Sequence, residues 1–348
     1  MQAPRNSLRA VSDERMASEL GRWQWLVVLV ALAACSTGGG PTRPRAASSG
    51  VASSAEPAAP APAARETVDP FQFDAEFFSR KRPPQPGDWL AEHREQGQTF
   101  LQFEQSSTLR PSAERRTIVF QPLGKFSDEQ RALLETLRQA TELFFGLSVE
   151  IAKGEDLPSA GRRVRNGAQG LFPQYLTSTI LSSLERHTPA HAIAYMGVTF
   201  EDLYPEPGWN FVFGEAELSA KVGVYSLKRF GPDFGGEPHS ATAQRRLLRR
   251  SIQLLAHETG HVFGMQHCTA FECVMNGSNS LEESDRLPLE PCHECLHKLA
   301  FALKLQPLPR YLALSELYER HGLQDDARWL KERYARLSPS SSNSAARR

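Results

Sequence analysis

The order of hydrophobic and polar residues in the middle of the chain predicts alternating strands and helices. The short β-branched run RTIVFQPL (116–123), bounded by polar residues and Gly124, predicts a strand. Ser127 and Gln130 then have the spacing of a capping box, apolar residues recur at helical spacing, and Gly146 predicts the end of the helix. The first strand is therefore followed by a helix.

The same criteria predict further strands and helices along the rest of the chain. The predicted strands are SVEIA (148–152), AIAYMGVT (192–199), NFVFGEA (210–216) and VGVYSL (222–227). The predicted helices are LFPQYLTSTILSSLERH (171–187), residues 243–263, and two helices joined around Gly322 within residues 311–337. This order of elements predicts an α/β (α+β) fold in which helices flank a mixed sheet.

The N-terminal region has the pattern of an export signal. The apolar stretch WQWLVVLVALAA (23–34) follows Arg22 and is shorter than the about 20 apolar residues of a membrane span. Leu-Ala-Ala-Cys (32–35) resembles a bacterial lipobox, in which the cysteine receives the lipid. We therefore expect a signal peptide over residues 1–35, lipidation at Cys35 and attachment to a membrane face of the bacterial cell envelope. An ordinary cleaved signal and an uncleaved anchor are the alternatives.

Composition divides the remainder of the chain into a linker, a folded body and a tail. Ala, Pro, Ser, Gly and Thr dominate residues 36–69, a composition that predicts a disordered linker. Residues 70–337 form the expected folded domain, which ends in a helical hairpin, and residues 338–348 are an expected disordered tail. We expect the hairpin to pack on the domain; docking of another protein is the alternative.

Charge adds little to this picture. Lys and Arg together number 40, as do Asp and Glu, so the balance gives no reason to expect nucleic-acid binding. Arg245, Arg246, Arg249 and Arg250 form a basic run on the predicted helix 243–263. Such a run is ordinarily a solvated helix face, and binding of phosphate or acidic groups is the alternative. The sequence sets no oligomeric state.

The segment HETGHVFGMQHC (257–268) carries candidate metal chemistry. On a helix, His257 and His261 project from one face and can reach one Zn²⁺ ion at about 2.0–2.1 Å. Gly264 allows the helix to end sharply, so that His267 returns as a third ligand. Three histidines leave the fourth zinc position open, which is the arrangement of catalytic rather than structural sites.

Glu258 follows the first histidine and can act as the general base. A zinc ion lowers the pKa of its water towards ~7, and a carboxylate beside it can take that proton and pass it to the leaving amine of a peptide. This predicts a zinc-dependent peptidase acting on a peptide or protein substrate. The alternative is a zinc-stabilised protein that binds peptides without efficient cleavage. Neither a G-x-S-x-G motif nor a P-loop is present.

Four cysteines lie within 28 residues of one another: Cys268, Cys273, Cys292 and Cys295. Two short-spaced pairs of this kind can form a closed four-thiolate zinc site. In an exported protein, two disulfides are the alternative.

The residues that follow the histidine motif resemble the archaemetzincins, a family of metzincin zinc peptidases. In that family a cysteine follows the third histidine, a second cysteine comes five residues later, a methionine lies two residues beyond it, and a C-x-x-C pair follows. Cys268, Cys273, Met275 and the pair at 292 and 295 occupy those places. Weaker similarity extends from about residue 84 to 306.

The resemblance implies a metzincin-like mixed, twisted sheet and an active-site helix that carries H-E-x-x-H-x-x-G-x-x-H. It further implies two zinc ions: one catalytic, held by the three histidines, and one structural, held by the four cysteines in a small C-terminal subdomain. Met275 corresponds to the methionine of the turn beneath the catalytic metal, where it forms an apolar floor. NFVFGEAEL (210–218) resembles the segment whose edge strand pairs with an extended peptide substrate.

Overall fold

A computed structural model describes residues 69–106, 109–167 and 170–338. Cys35, the expected signal peptide, the linker up to residue 68 and the tail from residue 339 lie outside the described residues, so those assignments stay predictions. Within the described ranges, no helix combines the length and the apolar composition that a membrane span requires.

In the described residues, eight strands form two sheets. They are β1 (Thr117–Leu123), β2 (Val149–Ile151), β3 (Arg163–Gly167), β4 (Gly170–Leu176), β5 (Ala192–Thr199), β6 (Asp202–Tyr204), β7 (Gly214–Glu217) and β8 (Val222–Ser226). The main sheet has the order β2-β1-β5-β8-β7. The first four of these strands run parallel to one another, and β7 pairs antiparallel with β8 at the edge. The mixed sheet is thus confirmed, with an antiparallel edge strand.

Ten α-helices accompany the sheets in the described part of the chain. They are α1 (Trp89–Glu92), α2 (Phe100–Gln105), α3 (Asp128–Phe145), α4 (Thr177–His187), α5 (Pro232–Gly235), α6 (Ala241–Val262), α7 (Leu281–Asp285), α8 (His293–Leu303), α9 (Pro307–Arg320) and α10 (Gln324–Leu337). Ser127 caps α3 in the predicted capping box, and Gly146 ends it with φ of 63°. The strand β5 is buried along its whole length, because the two faces of the main sheet pack in separate cores. Leu248 and Ile252 of α6 belong to one core, and Ile180 and Leu184 of α4 belong to the other.

The helix predicted over residues 171–187 is wrong in its first part. Residues up to Leu176 belong to β4, which pairs antiparallel with β3 and parallel with β6, and the helix begins only at Thr177. Neither β3 nor β6 was predicted, and their backbone groups are what hold β4 extended. Strand β7 also begins later than predicted, because Val212 forms only an isolated bridge with Leu203.

The C-terminal hairpin packs on the described domain, and its Leu314 and Tyr318 lie in the main hydrophobic core. Helices α9 and α10 join at Gly322, whose φ is 76°. Arg249, from the basic run on α6, forms an ion pair with Asp326 of α10, and Arg250 pairs with Asp285. Two members of that run therefore hold elements of the fold together, and neither is a freely solvated charge.

Candidate active site

Helix α6 positions the first two histidines of the motif. His257 and His261 are one turn apart, and their ring centroids lie 4.6 Å from each other. The chain then reverses at Gly264, whose φ is 87° and whose amide donates to the His261 carbonyl. Non-glycine residues rarely adopt this backbone conformation. The reversal returns His267, and one ring nitrogen from each of the three histidines lies within 4.8 Å of the others.

Backbone carbonyls orient the two helical histidines. His257 Nδ1 lies 2.8 Å from the Val274 carbonyl oxygen, and His261 Nδ1 lies 2.6 Å from that of Met265. Since a carbonyl can only accept, each Nδ1 carries a proton and donates it, which leaves a lone pair on each Nε2. The two Nε2 atoms are 3.0 Å apart. Two facing lone pairs at this distance fit a shared cation.

The third histidine is oriented by a carboxylate. His267 Nδ1 lies 2.9 Å from a carboxylate oxygen of Glu95, while its Nε2 is buried and has no hydrogen-bond partner among the described residues. Sequence reasoning missed Glu95, because it lies 172 residues before His267 and no local spacing links the two. The site thus contains three imidazoles, each with Nδ1 engaged and Nε2 available to a metal such as zinc.

The electrostatics of the site keep the imidazoles of His257 and His261 neutral. Burial lowers the pKa of His257 to about 3, and the charge of His267 acts in the same direction. Burial and the neighbouring histidines also place the pKa of His261 well below its ordinary value. Neutral imidazole is the form that binds metal. Conversely, burial and the nearby charge of Glu215 raise the pKa of Glu258 to about 7.

Glu258 is half-buried in the wall of a cleft that His257 and His267 also line. Other residues that line the cleft are Trp89, Val212, Gly214, Phe230, Arg250, Gln253, Leu254, Val274, Gly277, Leu281, Ser284 and Leu287. Gly214 belongs to the edge strand β7. The cleft therefore places the glutamate, two of the three imidazoles and an unpaired sheet edge within reach of one ligand.

Met275 packs against α6. Its side chain is 1% exposed, and a Cβ built on Gly260 of α6 would lie 2.6 Å from its sulfur. The Met275 carbonyl also accepts a hydrogen bond from the Cys268 amide at 2.8 Å. The structure thus places this methionine in contact with the helix that carries His257 and His261.

The four clustered cysteines meet in one buried group. Their sulfur atoms lie within 4.8 Å of one another, and none of the four is in a disulfide. The Cys268 and Cys292 sulfurs are 3.7 Å apart. Tetrahedral zinc with Zn–S bonds of about 2.3 Å requires sulfurs about 3.8 Å apart, so the donor set fits zinc. Because Cys268 follows His267 directly, this group also anchors the third histidine.

Comparison with known proteins places these features in a family. The model of peptidase family M54 matches residues 180–300. Archaemetzincin-2 of Macaca fascicularis is 34% identical over 275 residues, which covers 70% of this chain and 75% of that protein. Human archaemetzincin-1 is 30% identical over 255 residues and is covered over 51% of its own length.

Solved structures give related matches. The crystal structure of archaemetzincin from Archaeoglobus fulgidus is 32% identical, covers 52% of this chain and 99% of its own, and superposes with a TM-score of 0.40. That from Methanopyrus kandleri is 28% identical, covers 55% and 97%, and gives a TM-score of 0.44. On the extended sequence identity to archaemetzincin-2, the chain belongs to the archaemetzincins, peptidase family M54, and is a zinc metallopeptidase.

Proposed function

We propose that the chain cleaves peptide or protein substrates at a zinc ion held by Nε2 of His257, His261 and His267. The proposal rests on the convergence of these three nitrogens. Every Nδ1 already donates a hydrogen bond to an acceptor, so each Nε2 is left to bind the metal. Among the described residues, the cluster has three members and no fourth side-chain ligand. Three protein ligands with an open position are the pattern of catalytic zinc.

Glu258 is the proposed general base. When bound, zinc supplies Lewis-acid chemistry towards a water molecule and the substrate carbonyl. Glu258, in the same cleft wall as His257, accepts the proton of the attacking water and returns it to the leaving amine. The carboxylate is adjacent in sequence to a ligand but is not in the ligand cluster, so it stays available for proton transfer.

The edge strand β7 is the proposed docking site for the substrate backbone. One side of β7 pairs with β8, and in the described sheet no strand pairs with its other side. Gly214 of this strand lines the cleft with Glu258. An extended peptide can add to such an edge through main-chain hydrogen bonds, which brings a scissile bond to the base.

The four cysteines are proposed to hold a second, structural zinc ion. The support is the sulfur spacing of 3.7 Å and the absence of a disulfide among these four residues. Elemental analysis tests this directly: two zinc ions per chain are expected. One zinc ion together with no titratable thiols would instead favour two disulfides.

Cys35 is proposed to carry a lipid that holds the chain at a membrane of the bacterial cell envelope. The support is the lipobox-like sequence at 32–35, whose cysteine directly follows the apolar stretch 23–34. Replacement of Cys35 by Ser is expected to release the protein from membranes. Unchanged membrane association of the variant would contradict lipidation.

A peptide library tests the proposed catalysis. The purified protein is incubated with a diverse library beside a Glu258→Ala variant, and both are analysed for zinc. We expect cleavage by the parent and loss of cleavage in the variant at unchanged zinc content. Absence of turnover by both proteins across the library would favour the alternative, a zinc-stabilised protein that binds peptides without cutting them.

A further inference from the structure

We infer that the N-terminal segment 69–106, called the strap below, completes the metal centre, with Glu95 as the positioning residue for His267. The strap lies outside residues 180–300, which the family model matches. The inference rests on the proposed zinc site and deepens it, because it assigns part of the zinc affinity to a residue far from the ligands in sequence.

The three histidines differ in how they are held. His257 and His261 donate Nδ1–H to backbone carbonyls of the loop that follows α6, so the motif region itself orients them. His267 donates instead to both oxygens of the Glu95 carboxylate, at 3.0 and 2.9 Å. This bond to a charged acceptor is stronger than one to a carbonyl, and it fixes both the ring and the tautomer that presents Nε2.

Trp89 fixes the strap on the floor of the cleft. Its backbone N–H donates to both carboxylate oxygens of Glu283 at 3.1 Å, and the Asn279 amide donates to the same carboxylate at 2.7 Å. The indole packs on Gly277, where an added Cβ would lie 2.6 Å from the ring, and it meets the His267 ring edge-to-face at 5.2 Å. The strap therefore contacts the third ligand through both Trp89 and Glu95.

Gln98 fixes the strap on the other side of Glu95. Its side-chain amide donates to the Gly264 carbonyl at 3.1 Å, and its side-chain oxygen accepts from the Gln266 amide at 3.3 Å. These contacts hold the loop between the end of α6 and His267. Glu95 thus lies between two anchored points of the strap, which hold its backbone close to His267.

A carboxylate behind a histidine ligand raises metal affinity in two ways. It pre-orients the ring, so less entropy is lost on binding, and its negative charge stabilises the imidazole when a cation is bound at Nε2. Loss of such a partner ordinarily weakens metal binding by about 10- to 100-fold. The same loss is expected here for Glu95.

The test measures zinc binding rather than catalysis. Parent, Glu95→Gln and Glu95→Ala proteins are dialysed against buffers of graded free zinc, and zinc per chain is measured. The zinc-binding step that is absent from the titration of a His267→Ala variant is assigned to the histidine site. We expect half-occupancy of that site at about tenfold higher free zinc for Glu95→Gln and up to about 100-fold higher for Glu95→Ala. Glu92→Gln, an exposed carboxylate in the same strap, is the matched control and is expected to match the parent.

The zinc-induced rise in Tm separates positioning from general stabilisation. If Glu95 positions His267, the Glu95→Gln variant shows a smaller rise than the parent. Equal losses of Tm in the metal-free and zinc-loaded forms, or unchanged half-occupancy, would overturn the inference. Peptide cleavage is measured separately. If the parent binds zinc but cleaves no peptide, the proposed function is refuted and this inference stands. If the Glu95→Gln variant cleaves peptides and binds zinc with the affinity of the parent, this inference is refuted and the proposed function stands.

Discussion

Gly260 and Met275 are in direct contact: a methyl group on Gly260 would lie 2.6 Å from the methionine sulfur. The first belongs to α6 between His257 and His261, and the second to the segment that follows the helix. The helix and this segment are therefore packed so closely that a side chain at residue 260 would have to displace the methionine sulfur.

The Gly260→Ala variant is expected to be destabilised. The added methyl group must displace the buried sulfur or shift α6, and such overpacking costs about 1–3 kcal/mol. The free energy of unfolding is measured by urea denaturation. Gly208→Ala is the control, because a Cβ at Gly208 meets no atom within 4 Å. A Gly260→Ala variant as stable as the control would show that Met275 does not form a fixed floor beneath the helix.

The buried ion pair between Arg310 and Glu290 links α9 to the segment that contains Met275. Loss of this ion pair is expected to destabilise the protein. Arg310 donates to Glu290 at 2.6 Å and to the Phe144 carbonyl at 2.9 Å, while the Glu290 carbonyl accepts from the Val274 amide at 3.0 Å. Replacement of Arg310 by Met leaves a buried carboxylate without its partner, which costs about 3–5 kcal/mol.

An exposed pair provides the control for that measurement. Arg328 pairs with Asp325 on the surface of α10, where its side chain is 63% exposed. Arg328→Met is expected to change the free energy of unfolding by less than about 1 kcal/mol. Equal effects of Arg310→Met and Arg328→Met in urea denaturation would show that the hairpin does not support the site through this pair.

The cysteine group is expected to lose its zinc when one ligand is replaced. Cys295→Ser should retain one zinc ion per chain and show a lower Tm, because binding energy at a structural zinc site is folding energy. Reducing agent should leave the Tm of the parent unchanged. A parent whose Tm falls on reduction, with no change in zinc content, would identify disulfides in place of metal.

Local signals in the sequence predicted much of the fold. The cap at Ser127, the left-handed stop at Gly146 and the length of α6 each depend on neighbouring residues, and the structure has all three. Strands β3, β4 and β6 were not predicted, because much of their pairing joins residues distant in sequence. The helical spacing of apolar residues after residue 170 predicted a helix in place of β4. Non-local pairing decided the conformation of that stretch.

The same contrast between local and non-local signals applies to the candidate site. The spacing of His257, His261 and His267 brought these residues together in the sequence analysis, because a helix and one glycine turn determine their arrangement. Glu95 and Trp89 lie in a segment of weak family similarity that carries no metal-binding motif, and only the tertiary structure brings them to His267. The convergence of the three histidines is thus predictable from the sequence, whereas the groups that orient them are not.

The position of the zinc ions in a crystal is the most direct test of the central claim. Anomalous scattering at the zinc edge is expected to give one peak bonded to Nε2 of His257, His261 and His267, with only solvent in the fourth position facing Glu258. A second peak is expected among the four cysteine sulfurs. A protein atom in that fourth position, or no peak between the three imidazoles, would contradict the proposed catalytic site.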